Sequence, residues 1–207
     1  MSKRKHPHFE AYVSIDIENP LNRLVYELRE LLSDKKMVVM PVDIPLFGQY
    51  DSNMSLIRKK NEIDEVMSEA VKRFKTYLSG ETGHTIKVMS LQPESLQRTS
   101  DGRLLLKFEK NEHFNRLKKC IHEVASEKNA YYIIEMLDIE SQDPYTYVIL
   151  KSHVFTKNMT DIEIKEIHRK LSTYEEEFLK HPVEVSRATL YHKEAVPLTR
   201  IQSWDLL

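Results

Sequence analysis

The stretch PVDIPLFGQYDSN, residues 41–53, combines the pattern of a buried β-strand with two residue types that are depleted in strands. Its apolar run ends at Gly48, where a polar loop begins. Within the run lie the carboxylate of Asp43 and the ring of Pro45, and a proline has no amide hydrogen to donate to a sheet. We expect Pro45 at a sheet edge or beside a bulge, where a missing donor is tolerated. The carboxylate marks this strand as part of a candidate functional site.

The sequence around this strand predicts alternating strands and helices, because the apolar spacing changes between a period of 2 and one of 3.6 residues. The first series is a strand over 9–17, a helix over 21–32, a strand over 37–48, a helix over 62–78 and a strand over 84–91. The second series is a strand over 103–109, a helix over 113–125, a strand over 145–156, a helix from 160 and a strand over 183–192. The repeated order predicts an α+β fold with helices packed on the outside of sheets.

The two series indicate one domain over residues 1–207, built from approximate repeat halves. The halves are residues 9–91 and 103–192, with 92–102 as the joint between them. When the halves are laid over each other by element order, Asp43 corresponds to His153. Each lies on the strand that precedes an outer helix, so the pair is predicted to contribute to one site from two sides.

The composition excludes several classes of protein. With 41% apolar and 30% charged residues in 207, the chain is typical of a globular protein with a sizeable core. A net charge of -1 argues against a surface that coats nucleic acid uniformly, although a local basic groove is compatible with it. No apolar run approaches the roughly 20 residues that span a bilayer. The single cysteine, Cys120, lies on the apolar stripe of its helix and indicates a reducing compartment. We expect a cytoplasmic monomer without a membrane partner.

No motif predicts a metal or cofactor. The histidines are scattered and have no paired spacing with cysteines, so a zinc site is not indicated. The chain has four glycines, too few and too dispersed for a phosphate loop. We therefore expect no metal and no cofactor.

Three stretches resemble the two-histidine phosphoesterase superfamily, the LigT-like or 2'-5' RNA ligase-like proteins. DIPLFGQY, residues 43–50, is similar to a family motif such as His-x-Thr-Leu-Phe-Gly. SHVFTK, residues 152–157, resembles the second motif, and residues 183–207 resemble the family's last strands with a hairpin to the C-terminus. The resemblance implies a bilobal, pseudo-symmetric fold in which two antiparallel-rich sheets line a central groove, with helices outside.

The family motif has a direct physical purpose. Residues i and i+2 of a strand face the same way, so its His and Thr both point into the groove. One imidazole removes a proton from the attacking group, the other protonates the leaving oxygen, and each contributes roughly 10²- to 10⁴-fold in rate. In this chain Asp43 and Pro45 stand at the first motif, while His153 is kept and Phe155 replaces the second hydroxyl. Only His153 remains of the four expected groups, so catalysis is predicted to be lost or reduced.

Five further residues are candidates for ligand binding around His153 and Asp43, which are the catalytic candidates. They are Tyr50, Lys151, Phe155, Arg187 and Tyr191. The loop that begins with Tyr50 mixes aromatic and basic residues, which suits single-stranded nucleic acid. A solvated charge run before a helix explains this loop better. Arg187 and Tyr191 share one face of a strand that the resemblance directs to the groove, although a strand between core and surface explains them too.

These observations leave three hypotheses for the function. The first is a diverged binding protein for RNA ends or for small or cyclic nucleotides. The second is an active 2',3'-cyclic or 2'-5' phosphodiesterase that uses His153 with a non-standard partner such as Asp43. The third is a protein–protein interaction scaffold whose groove has no ligand. A basic, aromatic groove favours the first hypothesis, and an apolar, filled groove favours the third.

Overall fold

The computed structural model of the chain describes residues 11–32, 42–47, 59–82, 89–98, 104–137, 147–151, 161–192 and 199–207. These residues form nine strands and five helices, so the predicted α+β class is confirmed. In chain order the elements are β1 (Ala11–Asp16), α1 (Leu21–Leu31), β2 (Asp43–Phe47), α2 (Lys60–Thr82), β3 (Met89–Leu91), β4 (Pro93–Arg98), β5 (Leu104–Phe108), α3 (Glu112–Glu127), α4 (Tyr131–Met136), β6 (Tyr147–Lys151), α5 (Asp161–Phe178), β7 (Val183–Val185), β8 (Arg187–His192) and β9 (Thr199–Asp205).

The strands form three sheets, and every described pairing is antiparallel. The largest sheet has the order β2-β1-β8-β9, the second is the pair β3-β7, and the third has the order β4-β5-β6. The first and last of the described strands therefore share one sheet. Two of the three sheets combine strands from both predicted halves.

The four-stranded sheet separates an apolar face from a polar one. On β1, Val13 and Ile15 are fully buried in the core, while the residues between them point to the opposite face. Helix α2 packs against β9, where the Trp204 indole N–H donates to the Asp64 carboxylate at 2.8 Å. Cys120 is buried on α3, as its position on the apolar stripe predicted, and burial raises the pKa of its thiol.

Strand β2 lies at an edge of the described sheet, which confirms the expectation for Pro45. Its pairing with β1 is irregular, since Ser14 opposes Pro45 whereas Val13 opposes Phe47. One additional β2 residue, Leu46, is accommodated there as a bulge. The edge position and the bulge together explain how a strand with this proline joins a sheet.

The structure corrects the predicted elements in three places. The joint 92–102 contains β4, which pairs with β5. The single strand predicted over 183–192 is divided at Ser186 into β7 and β8, which belong to different sheets. Helix α4 was not predicted, because its six residues are too few to show a helical period.

Parts of five predicted strands lie outside the described residues. The described parts are β1 within 9–17, β2 within 37–48, β3 within 84–91, β5 within 103–109 and β6 within 145–156. In each case the described segment is a strand, in agreement with the prediction.

Candidate functional site

A cluster of polar side chains covers one face of the four-stranded sheet. Tyr12, Ser14 and Asp16 alternate along β1 with the buried apolar residues, and Thr189 and Tyr191 occupy the neighbouring strand β8. Ser14 and Thr189 are fully buried, and the two tyrosines nearly so. All five side chains are hydrogen-bonded, as buried polar groups require. We call this surface, together with Asp43 on β2, the polar face.

Asp43 is held by two hydroxyl groups of β1. The phenol of Tyr12 and the hydroxyl of Ser14 both donate to its Oδ2, each at 2.9 Å. Although the residue is partly exposed, desolvation by burial raises the pKa of its carboxyl to about 6, against the opposing effect of the two hydrogen bonds and of Arg29. The carboxyl therefore changes protonation near neutral pH.

A second carboxylate, Asp16, lies further along the polar face. Its Oδ1 accepts a bond of 2.6 Å from the Tyr191 phenol, and its Oδ2 accepts bonds of 3.0 Å from Thr189 and from Arg200 Nη2. Burial raises the pKa of the Tyr191 phenol, and the bond to Asp16 adds to the effect. The ring of Tyr191 stacks on that of Tyr12 with centroids 5.6 Å apart. This stack connects the surroundings of the two carboxylates.

A pocket of about 620 Å³ opens beside Asp16. Its lining residues come from the end of β1, the start of α1, and strands β8 and β9, and they are Asp16, Ile17, Glu18, Asn19, Asn22, Tyr26, Val42, Arg187, Tyr191 and Arg200. Arg187 Nε also donates to Asp205 at 3.3 Å. The pocket lining thus combines guanidinium groups with carboxylate and amide groups, and Arg200 bonds to Asp16 within it.

Two of the predicted ligand-binding residues, Arg187 and Tyr191, line this pocket together. Asp43 lies on the same sheet but does not line the pocket. Lys151 ends strand β6, and β6 contacts β2, the strand that carries Asp43. Tyr50, His153 and Phe155 lie outside the described residues. The apposition of Asp43 and His153 therefore stays a prediction.

The sequence did not single out Asp16, Tyr12 or Arg200. The signal available was the alternation of polar and apolar residues in AYVSID, which is equally typical of a strand with a solvated face. The partners of Asp16 are 173 to 184 positions away in sequence. Only the pairing of β1 with β8, and of β8 with β9, brings these residues into one cluster.

The described part of the chain has no cluster of three or more His, Cys, Asp or Glu residues that could hold a metal ion. Among its helices, none has the length and apolarity needed to cross a membrane.

No family model and no curated protein matches the chain. Among solved structures, it is similar to the crystal structure of Escherichia coli LigT complexed with phosphate, with 10% identical residues and a TM-score of 0.48 over 97% of this chain and 98% of the other. It is also similar to a crystal structure of a phosphoesterase, with 11% identical residues and a TM-score of 0.45 over 95% of this chain and 97% of the other. Similarity at these values assigns neither a family nor an activity.

Proposed function

We propose that the chain is a diverged member of the two-histidine phosphoesterase type that binds RNA ends or small or cyclic nucleotides, with catalysis lost or reduced. The observation that carries the proposal is that Arg187, Tyr191 and Arg200 line one pocket. Guanidinium groups match the geometry of phosphate oxygens, and both arginines are exposed. The proposed protein acts as a cytoplasmic monomer.

The dimensions of the pocket support a small ligand. At about 620 Å³, its volume falls within the roughly 300–1,000 Å³ of most small-molecule sites. A mononucleotide, or the terminal nucleotide of an RNA, is of this size. The exposed guanidinium of Arg187 keeps other donors besides the Nε that bonds to Asp205.

Loss or reduction of catalysis is supported by the surroundings of Asp43. The resemblance implies a histidine at this position, and a carboxylate there repels a phosphodiester instead of protonating it as an imidazolium would. Pro45, two positions further along β2, offers no hydroxyl to hold a phosphate oxygen. The acceptor atom Oδ2 of Asp43 is already engaged by Tyr12 and Ser14.

One observation favours the alternative, an active 2',3'-cyclic or 2'-5' phosphodiesterase that uses His153 with Asp43. The pKa of Asp43 is raised to about 6 by burial. A group with a pKa near the working pH is an efficient general acid or base. The alternative therefore predicts turnover that depends on both residues.

A binding titration tests the proposal. A short labelled RNA with a 2',3'-cyclic end is titrated with the wild type, Arg187→Gln, Arg200→Gln and the control Arg169→Gln. Arg169 lies on α5, outside the pocket, and pairs with Glu166 at 2.8 Å. Since a hydrogen bond to a charged group contributes about 1.5–3 kcal/mol, we expect each pocket variant to bind roughly tenfold more weakly or worse, with the control unchanged.

The same probe separates the other hypotheses. Hydrolysis by the wild type that disappears in both His153→Ala and Asp43→Asn would replace binding by the enzymatic alternative. No binding at high micromolar protein would refute the nucleotide proposal and favour a protein–protein scaffold. Equal weakening by the pocket variants and by Arg169→Gln would indicate a nonspecific charge effect.

A further inference from the structure

The lining of the pocket is divided between hydrogen-bond donors and acceptors. Strands β8 and β9 contribute the guanidinium groups of Arg187 and Arg200, which are donors only. The β1–α1 connection and the start of α1 contribute Glu18 and Asn22. A ligand that fills the pocket therefore needs an anionic part and a separate part rich in donors.

Hydrogen bonds within the protein determine which acceptor atoms at the end of β1 and the start of α1 are available to a ligand. Asp16 already accepts three bonds within the protein, from Thr189, Tyr191 and Arg200, so most of its acceptor capacity is in use. The amide nitrogen of Asn22 donates to the Ile17 carbonyl at 2.8 Å, which leaves the amide oxygen as the atom that a ligand can use.

Glu18 is the strongest of these acceptors. It is exposed at the pocket, and within the described residues its carboxylate forms no ion pair. An ionised carboxylate accepts on two oxygens and donates nothing, so it selects a partner with two adjacent N–H groups. It also repels a phosphate, which directs the anionic part of a ligand to the arginines.

We propose that the pocket selects guanine, with Glu18 accepting from N1–H and the N2 amino group while the phosphate lies by Arg187. This inference rests on the proposed nucleotide binding and names its base preference. The Watson–Crick edge of guanine presents N1–H and N2–H side by side, whereas adenine presents a lone pair at N1 and would place it against the carboxylate. The ring of Tyr26 also lines the pocket, and the Arg29 guanidinium lies over this ring, 5.7 Å from its centroid.

The test compares guanosine, inosine and adenosine 2',3'-cyclic monophosphates by calorimetric titration of the wild type, Glu18→Gln and the control Glu184→Gln. Glu184 is an exposed residue of β7 outside the pocket. A bidentate base contact discriminates by about 1–3 kcal/mol, so we expect guanosine to bind about 5- to 150-fold more tightly than adenosine. Inosine keeps N1–H but lacks the 2-amino group, so its affinity should fall between the two.

In Glu18→Gln the preference should fall to within about threefold, because an amide offers one acceptor and one donor, while Glu184→Gln keeps the wild-type order. Equal affinity of the wild type for all three nucleotides would overturn the base preference and leave the proposed function standing. Failure of the wild type to bind any of the three would remove both. A guanosine preference that persists in Glu18→Gln would overturn the assignment to Glu18.

Discussion

Both hydroxyl groups that donate to Asp43 bond to the same oxygen atom, Oδ2. A substitution of Asp43 that keeps one acceptor oxygen in this place can therefore keep both bonds. An asparagine can place its amide oxygen where Oδ2 lies and keep the bonds from Tyr12 and Ser14. It carries no charge, so it avoids the desolvation that raises the pKa of Asp43 from 3.8 to about 6.

Asp43→Asn should therefore stabilise the protein at neutral and alkaline pH. Because the pKa of Asp43 is higher in the folded than in the unfolded state, its contribution to stability is fully present below about pH 4 and is lost as the pH rises through about 6. At 1.36 kcal/mol per unit, the variant gains at most about 3 kcal/mol over the wild type at high pH. Urea unfolding of both proteins between about pH 4 and pH 8 measures the difference. A difference that does not grow with pH would contradict the expectation.

The sequence could predict some of the individual site residues and not others. Arg187 and Tyr191 could be proposed together because positions four apart on a strand share a face. Asp16 could not, because a polar residue that alternates with Val13 and Ile15 on a strand is as compatible with solvent as with a buried network. Its role depends on Arg200, which reaches it only after β1, β8 and β9 pair.

Among the elements, α3 begins with a side chain that has two functions. The Asn111 Oδ1 accepts from the Phe114 backbone N–H at 2.9 Å and caps the helix. Its Nδ2 donates to the Ser90 carbonyl on β3, also at 2.9 Å. The cap thus fixes the start of α3 and connects it to the small sheet β3-β7.

Asn111→Ala should lower the free energy of unfolding by about 1–2 kcal/mol, since it removes a helix cap and a second hydrogen bond. Asn111→Asp is the matched comparison, because its carboxylate keeps the cap and suits the positive end of the helix dipole but cannot donate to Ser90. We expect an intermediate stability for it in denaturant unfolding. Equal stability of the alanine variant and the wild type would show that water replaces the cap.

Long helices could be predicted from the sequence because their apolar stripes persist over several turns. Strand β4, with the sequence PESLQR, could not, because proline and charged residues argue against a strand. Its conformation depends on partners elsewhere, namely the ladder with β5 and the bond from the Leu96 N–H to Glu175 on α5 at 2.7 Å. Tertiary pairing outweighs local propensity at this element.

In the whole molecule, the sheets join the two predicted halves of the chain instead of separating them. Strand β1 is bonded to β2 on one side and to β8 on the other, and β3 pairs with β7. The apolar residues of both halves belong to one continuous core. Neither predicted half retains a complete described sheet when the other is removed, and a cut between residues 98 and 99 also separates β4 from β5 and β6.

Fragments 1–98 and 99–207 should therefore be unfolded when produced separately. In the first fragment, β1 lacks its partner strand β8, so Val13 and Ile15 lose much of their packing. In the second fragment, Trp204 on β9 lacks its hydrogen-bond partner Asp64 on α2. Trp204 is the only tryptophan and is 7% exposed in the full chain, so its fluorescence reports directly on this contact. We expect red-shifted emission from the second fragment and a shift toward the full-length spectrum when the fragments are mixed. Circular dichroism can also compare the unfolding of the isolated fragment 1–98 with that of the full chain. A cooperative transition in the fragment would contradict the dependence of the halves on each other.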